Sequence, residues 1–159
     1  ASPWANRLTA IEMDVEQLSL PQPVDLILSN PPYFASPQKA SNAYHQQTDQ
    51  RQIARHESGL TLAVFFAQCQ RLLSTEGSIA MVFPHERQHY LSECAADFGF
   101  SISRKLRIAA TPSANPYLNA LVLRRGKSEM TASSLCIRDH HQQYTQCYRT
   151  LCREFYLNF

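Results

Sequence analysis

Hydrophobic residues recur along this chain with two different spacings. Short apolar runs predict strands, and the first two lie at residues 8–14 and 24–29. The second run has the composition of a strand buried on both faces, as found inside a parallel sheet. Four further runs predict strands at residues 78–83, 100–108, 117–124 and, as a short edge strand, 135–138.

Helical spacing of apolar positions predicts three helices. We expect the first at residues 60–73, stopped by Gly77, the second at 86–98, closed by Gly99, and the third at 144–156. A turn with proline at both ends, residues 112–116, would join two strands as a hairpin. Strands that alternate with helices before a hairpin predict an α/β sheet that is mostly parallel, with an antiparallel hairpin at its edge.

One polar stretch breaks this pattern. Residues 35–58 are rich in Gln, Ser, Asn and His and carry Lys39, Arg51 and Arg55. Because so long a connection is unusual inside a compact domain, we expect a mobile polar loop within a single domain that covers residues 1–159.

Composition narrows the class of protein. With 44% hydrophobic residues, the 159-residue chain can form a core, but no apolar run approaches the roughly 20 residues of a membrane span. No secretion signal is visible, so we expect a cytoplasmic protein without a membrane partner. The five cysteines contain no C-x-x-C pair and are typical of reduced core residues. A net charge of +2 permits an RNA partner without demanding one.

The strongest chemical signal is Asn30-Pro31-Pro32-Tyr33, which follows the strand predicted at residues 24–29. Two prolines remove two N–H donors and force a turn. The Asn30 side chain and the carbonyls of Asn30 and Pro31 are then acceptors for the hydrogens of a planar NH2 group, and Tyr33 offers an aromatic face to its ring. Ligands of such sheets bind beyond the carboxyl ends of the strands, where this motif lies. The alternative is an ordinary turn.

The motif and its surroundings resemble a known family, the bacterial tRNA(Val) adenine-N6 methyltransferases, which are class I S-adenosylmethionine-dependent enzymes. The similar blocks are Ser2-Pro3-Trp4, Arg7-Leu8, Asp25 to Phe34, Ala54-Arg55-His56-Glu57 and, in the tail, Leu135 to Asp139, Tyr144-Thr145 and Phe155-Tyr156-Leu157. The resemblance implies a Rossmann-like sheet, S-adenosylmethionine as cofactor, and tRNA as partner. It also implies N6-methylation of the adenosine at position 37, just 3′ of the anticodon.

The same resemblance implies roles for individual residues. Asn30 and Pro31, with Pro32 shaping the turn, would hold the target amine beside the cofactor, and Tyr33 would stack on the flipped base. Asp14, expected at the end of a strand, would contact the cofactor's adenine, unless it is a surface turn residue. Phe34 would extend the base platform, or belong to the core. Phosphate contacts, or else solvated surface charges, would come from Lys39, Arg51, Arg55, Arg104, Lys105, Arg107, Arg124, Arg125 and Lys127.

The chain also departs from the family. Its four glycines are scattered, and no G-x-G-x-x-G loop is present to hold the cofactor. We therefore expect the C-terminal portion of a methyltransferase domain, with an incomplete sheet whose first strands are missing and with doubtful cofactor binding. The oligomeric state is open, and an exposed strand edge would permit self-association.

Other interpretations remain. The same four-residue motif serves methyltransferases that act on ribosomal-RNA guanine N2, DNA adenine or protein glutamine, and the chain could instead be a non-catalytic RNA-binding fragment. Residues 85–89 fit H-E-x-x-H, a zinc pattern. Because the pattern follows Pro84 at a helix start and no third ligand stands out, we expect a solvated helix terminus and no metal.

Overall fold

Five strands and three α-helices form a mixed α/β sheet in the part of the chain that the computed structural model describes, residues 3–31 and 61–156. The elements in chain order are β1 Val24–Ser29, α1 Leu62–Leu72, β2 Leu73–Pro84, α2 Gln88–Asp97, β3 Phe100–Ala109, β4 Leu118–Arg125, β5 Thr131–Cys136 and α3 Gln146–Cys152. The polar loop predicted at residues 35–58 lies outside the described residues. No helix among those residues is long and apolar enough to cross a membrane.

The strand order is β1-β2-β4-β3-β5. β1 is parallel to β2 and β3 is parallel to β5, whereas β4 is antiparallel to both of its neighbours. Four strands thus run in one direction, which confirms the predicted α/β sheet with its hairpin. The hairpin is not at the edge, however, because β4 inserts between β2 and β3 and β5 covers the outer side of β3. The edge strand was correctly expected near residue 135, although it begins and ends earlier than predicted.

The strand predicted at residues 8–14 is wrong. This segment lies between two 3-10 turns, Ala5–Arg7 and Val15–Gln17, and its apolar side chains are exposed. A strand forms only when its N–H and C=O groups bond a neighbour, and no described strand pairs with this segment. Arg71 of α1 instead holds the chain after the second of these turns, by donating to the carbonyl oxygen of Leu18.

The expectation that β1 is buried on both faces is also wrong. Leu26 and Leu28 are 58% and 79% exposed, whereas Ile27 packs against the core. Helices α1 and α2 cover only the sheet face that carries Ile27. The opposite face, where Leu28 lies beside Ala80 of β2, is an apolar cleft open to solvent.

The core forms where α1 packs on the covered face. Thr61 caps α1 by accepting the N–H of Val64 at 3.2 Å, and the buried face of the helix places Phe66 against Phe100, with ring centroids 6.0 Å apart. The other buried members of this core come from α1, β2, α2 and β4, namely Leu62, Phe65, Cys69, Leu73, Ile79, Met81, Phe83, Leu91, Ala95, Leu121 and Leu123.

Helix α1 continues into β2 without a loop, so the predicted stop at Gly77 is wrong. Gly77 lies inside β2, where the register shifts: Leu73 lies opposite Val24, and Ser78 lies opposite Leu26. A Cβ at Gly77 would meet Leu73 Cδ1 at 2.7 Å. The glycine is therefore explained by close packing rather than by a helix cap.

The other two helix ends follow the sequence more closely. Gly99 closes α2 with a φ of +77°, and its N–H donates to the Ala96 carbonyl at 3.0 Å, as the glycine predicts. The terminal helix is shorter than predicted. Thr145 caps α3, and Tyr144 before it pairs in a β-bridge with Arg138, which keeps Tyr144 out of the helix.

Candidate functional site

The carboxyl ends of β1 and β2 lie side by side at one edge of the sheet. Ser29, the last residue of β1, lies opposite Met81 of the parallel strand β2, and Asn30 and Pro31 follow immediately. Asn30 is exposed and Pro31 is buried. The buried proline fixes the chain where it leaves the sheet, and Asn30 beside it is accessible to solvent.

The rest of the predicted base and phosphate site cannot be placed. Pro32, Tyr33, Phe34, Lys39, Arg51 and Arg55 lie outside the described residues. Their roles therefore stay predictions from the sequence.

Asp14 is exposed and caps the 3-10 turn Val15–Gln17, with Oδ1 accepting the Glu16 N–H at 2.9 Å. Because residues 8–14 form no strand, Asp14 does not end one, contrary to the prediction. The capping bond is the turn role that the sequence left as the alternative. It uses one carboxylate oxygen and leaves Oδ2 as a further acceptor.

A polar cluster that the sequence analysis missed lies beyond the end of β2. Asn119 of β4 is fully buried, and it bonds His85 Nδ1 through Oδ1 at 3.0 Å and Gln88 Oε1 through Nδ2 at 2.9 Å. The signal was available, because Asn119 interrupts the alternation that points Leu121 and Leu123 into the core. A polar residue at a core position of a strand predicts a hydrogen-bond network there.

The H-E-x-x-H pattern places its two histidines in different surroundings. His85 belongs to a 3-10 turn, His85–Arg87, and bonds Asn119, whereas His89 lies on α2 and pairs with Glu93 at 3.2 Å on the surface. Within residues 3–31 and 61–156, no three His, Cys, Asp or Glu side chains come together as a metal group.

The basic residues around the hairpin divide into two kinds. Arg104, Arg107, Arg124 and Lys127 are exposed. Arg125 instead donates to the carbonyl oxygens of Gln70 and Leu73 at 2.7 and 2.8 Å, and its guanidinium lies 5.3 Å from the centre of the Phe100 ring. Its contacts thus hold the end of α1, so Arg125 is a structural residue in this fold.

All five cysteines are unpaired, but the prediction that they are core residues holds only for buried Cys69: Cys147 is exposed, and the other three are partly buried. Burial raises the pKa of Cys69 from 9.0 to about 12, against a smaller opposing effect of the Arg125 charge. Burial also raises the pKa of Cys94, with Asp97 adding to the shift. A thiol that resists ionisation is a poor nucleophile, so Cys69 acts as a core residue.

The tail after β5 is held by a compact hydrogen-bonded turn. The Asp139 carboxylate accepts the N–H of His141 at 2.8 Å and that of Gln143 at 3.0 Å. The Gln143 bond is the main cause that lowers the pKa of Asp139. Beside this turn, the Arg138 guanidinium lies 4.3 Å from the centre of the Tyr144 ring. These contacts order the last described part of the chain.

The chain was compared with known proteins, and the relatives described here carry the same name. No protein-family model matches the chain. It is similar to tRNA1(Val) (adenine(37)-N6)-methyltransferases: 34% identical over 157 residues to that of Tolumonas auensis, covering 99% of this chain and 63% of the relative. It is 30% identical over 158 residues to the enzyme of that name from Escherichia coli strain HS, and the match covers 98% of this chain and 62% of the relative. The chain thus spans slightly less than two thirds of these relatives.

Among solved structures, the chain resembles a predicted O-methyltransferase from Agrobacterium tumefaciens. The TM-score is 0.60 at 12% sequence identity, over 89% of this chain and 61% of that chain. This likeness shows the fold, a Rossmann-like methyltransferase sheet, and agrees with the fold class predicted from the sequence.

Proposed function

The chain is a homologue, over nearly its whole length, of the curated tRNA1(Val) (adenine(37)-N6)-methyltransferases, and we propose that the whole protein has their activity. The reaction is transfer of a methyl group from S-adenosylmethionine to N6 of adenosine 37 in tRNA1(Val). The observation that carries the proposal is this similarity, which extends over 99% of the chain and so spans the Asn30-Pro31-Pro32-Tyr33 motif that follows β1.

Asn30 supplies the main chemical function in this proposal. An adenine amino nitrogen is a weak nucleophile because its lone pair is delocalised into the ring. When the Asn30 side chain and the Pro31 carbonyl accept the two amine hydrogens, the nitrogen becomes pyramidal and its lone pair is localised. These acceptors interact most strongly as positive charge develops on the nitrogen, so they stabilise the transition state more than the bound substrate. The exposure of Asn30 supports this role.

The proposal assigns part of a cofactor site to two residues of this chain, Asp14 and Asn30. S-adenosylmethionine supplies an electrophilic methyl group on a positively charged sulfur. The free Oδ2 of Asp14 and the Asn30 oxygens are the acceptors that would bind it here. A glycine-rich loop for its methionine and ribose is not present in this sequence. We therefore assign those contacts to other parts of the whole protein, and expect this chain alone to bind the cofactor poorly.

The RNA partner belongs to the same proposal. Arg104, Arg107 and Arg124 are exposed on β3 and β4, and Lys39, Arg51 and Arg55 add cations after the motif. A tRNA anticodon loop presents splayed bases and closely spaced phosphates, which suit a protein that has both an exposed amine-binding turn and exposed arginines. Because tRNA is a cytoplasmic substrate, the proposal includes a cytoplasmic location for the whole protein.

The test is methylation of an unmodified tRNA1(Val) transcript by the purified whole protein, followed by nuclease digestion and mass spectrometry. We expect N6-methyladenosine at position 37, and none in a transcript with guanosine at that position. Methyl transfer to duplex DNA, ribosomal RNA or a glutamine peptide, with none to the tRNA, would overturn the substrate assignment. Calorimetry on the isolated 159 residues adds a second check: micromolar binding of S-adenosylmethionine would contradict the proposed division of the cofactor site.

A further inference from the structure

Asn119 is a polar side chain with no access to solvent, at the end of the sheet where β2 stops. It lies opposite Phe83 of β2, and its strand neighbours Leu121 and Leu123 belong to the core. Burying an amide costs free energy unless both of its ends are hydrogen-bonded. Both ends of Asn119 are bonded, Oδ1 to His85 and Nδ2 to Gln88.

These bonds determine which nitrogen of His85 carries hydrogen. Because Asn119 Nδ2 donates to Gln88, its Oδ1 is the atom that faces His85, and an amide oxygen only accepts. His85 Nδ1 must then be the donor. In the neutral ring Nε2 is left with its lone pair, as a hydrogen-bond acceptor. Within the described ranges, no side chain or main-chain group bonds Nε2.

His85 lies at the same edge of the sheet as the motif. It directly follows Pro84, the last residue of β2, and its main-chain N–H donates to the Tyr117 carbonyl at 3.0 Å. Since β1 and β2 are parallel neighbours, His85 and Asn30 both lie beyond the carboxyl ends of adjacent strands. The ring is half-buried, and so it is oriented by the protein yet still reached by a ligand.

We propose that His85 is a substrate-binding residue and that Asn119 and Gln88 are its positioning residues. In this proposal, which rests on the proposed function, Nε2 accepts a hydrogen from the nucleotide substrate held at Asn30. The donor is a hydroxyl or amino hydrogen. Because Asn30 and Pro31 accept both hydrogens of the target amine, the two sources are the ribose 2′-hydroxyl of adenosine 37 and the amino group of a neighbouring base. The alternative is a purely structural cluster that joins the start of α2 to β4. It would explain why Asn119 is buried, but it would give His85 Nε2 no function.

Two His85 variants of the whole protein separate these interpretations. His85→Asn keeps a donor near Nδ1 for Asn119 but removes the Nε2 acceptor, whereas His85→Gln restores an acceptor near the Nε2 position. One lost hydrogen bond of about 1.4 kcal/mol changes affinity about tenfold. We therefore expect His85→Asn to raise the KM for tRNA roughly tenfold with an unchanged melting temperature, and His85→Gln to recover part of the loss.

The source of the hydrogen is identified with an anticodon stem-loop that carries a 2′-deoxyadenosine at position 37. If the 2′-hydroxyl is the donor, wild-type protein binds the deoxy stem-loop more weakly than the parent stem-loop. The His85→Asn variant then binds the two stem-loops with equal affinity. If a base amino group is the donor, the deoxy substrate behaves like the parent stem-loop with both proteins.

Asn119→Leu tests the positioning role. In ¹⁵N NMR spectra of histidine-labelled protein, we expect His85 to be the Nδ1–H tautomer in the wild type and a mixture in the variant. An unchanged KM in a folded His85→Asn variant would overturn the proposal, as would a loss of stability that accounts for the whole activity change. If the wild-type protein methylates no tRNA at all, it is the proposed function that fails.

Discussion

Arg125 donates a hydrogen bond to the main-chain carbonyl of Leu73, at 2.8 Å, across the junction where α1 becomes β2. The last carbonyls of a helix have no partner within the helix, and here no loop intervenes to satisfy them. The guanidinium also bonds the Gln70 carbonyl and packs beside Phe100. One side chain thus joins α1, β2 and β4.

Replacing this arginine should destabilise the fold. We expect Arg125→Ala to lower the free energy of unfolding by about 2–3 kcal/mol, because the carbonyls of Gln70 and buried Leu73 lose a charged donor. Urea unfolding followed by circular dichroism measures the effect. Arg124→Ala is the matched control, since Arg124 is exposed and its Nε only reaches Ser78 Oγ at 3.2 Å. Equal losses in the two variants would contradict the assigned role.

Asn30→Ala in the whole protein should impair chemistry far more than cofactor binding. Loss of an acceptor that acts mainly in the transition state is expected to lower kcat about 10²–10³-fold. The affinity for S-adenosylmethionine, measured by calorimetry, should change only a few-fold. Asn6→Ala, at an exposed asparagine before β1, is the control. Unchanged turnover in the Asn30 variant would refute the role given to this residue.

Gly77→Ala should destabilise the protein although the substitution is small. The added Cβ would approach Leu73 Cδ1 at 2.7 Å and Ser74 Oγ at 3.0 Å, inside the irregular part of β2. We expect a loss of about 1–3 kcal/mol in unfolding experiments. In the double variant with Leu73→Ala the clash is gone, so its cost should fall short of the sum of the two single losses. Strict additivity would show that Leu73 is not the obstacle.

Cys69 should be protected from alkylation, and it should make the free energy of unfolding fall as the pH rises above about 9. With a folded pKa raised to about 12, its thiol stays protonated at pH 8.5, so iodoacetamide should modify exposed Cys147 first. The stabilising contribution is complete below the unfolded pKa near 9.0. It is lost as pH rises from about 9 to about 12, because only the unfolded thiol ionises there.

Two measurements check the Cys69 prediction. Peptide mass spectrometry gives the order of alkylation, and unfolding curves between pH 8 and pH 10 give the slope of stability. Cys69→Ala should reduce that slope. A slope that the substitution leaves unchanged would show that Cys69 is not its source.

Local sequence patterns predicted most elements of this fold. Alternation and turn residues correctly indicated β1, the β3–β4 hairpin and the end of α2 at Gly99. These patterns were insufficient where strand formation or burial depends on residues far away in the sequence. Residues 8–14 have apolar residues but no described partner strand, and Leu26 and Leu28 are exposed because no described helix covers their face of the sheet. Neither the lack of a described partner strand nor the lack of a covering helix can be read from the local sequence of these two segments.

In the candidate site, too, local features were predicted from the sequence and long-range contacts were not. Asn30 and Pro31 were identified by a contiguous motif, and β1 places them at the predicted edge of the sheet. The bond between Asn119 and His85 joins residues 34 positions apart. Finding it required the register of β4 against β2, which the sequence pattern does not contain.

The order of strands in the sheet also has a consequence for the kinetics of folding. β3 and β4 are joined by a short connection, whereas β1 bonds only β2 among the strands that the structure describes, and the contact of Asp25 with Ser74 spans 49 residues. Local contacts form rapidly, while distant ones wait for a large loop to close. We therefore expect the hairpin to assemble early and β1 to dock late. The strand that carries Asn30 would thus complete the substrate edge as one of the last steps of folding.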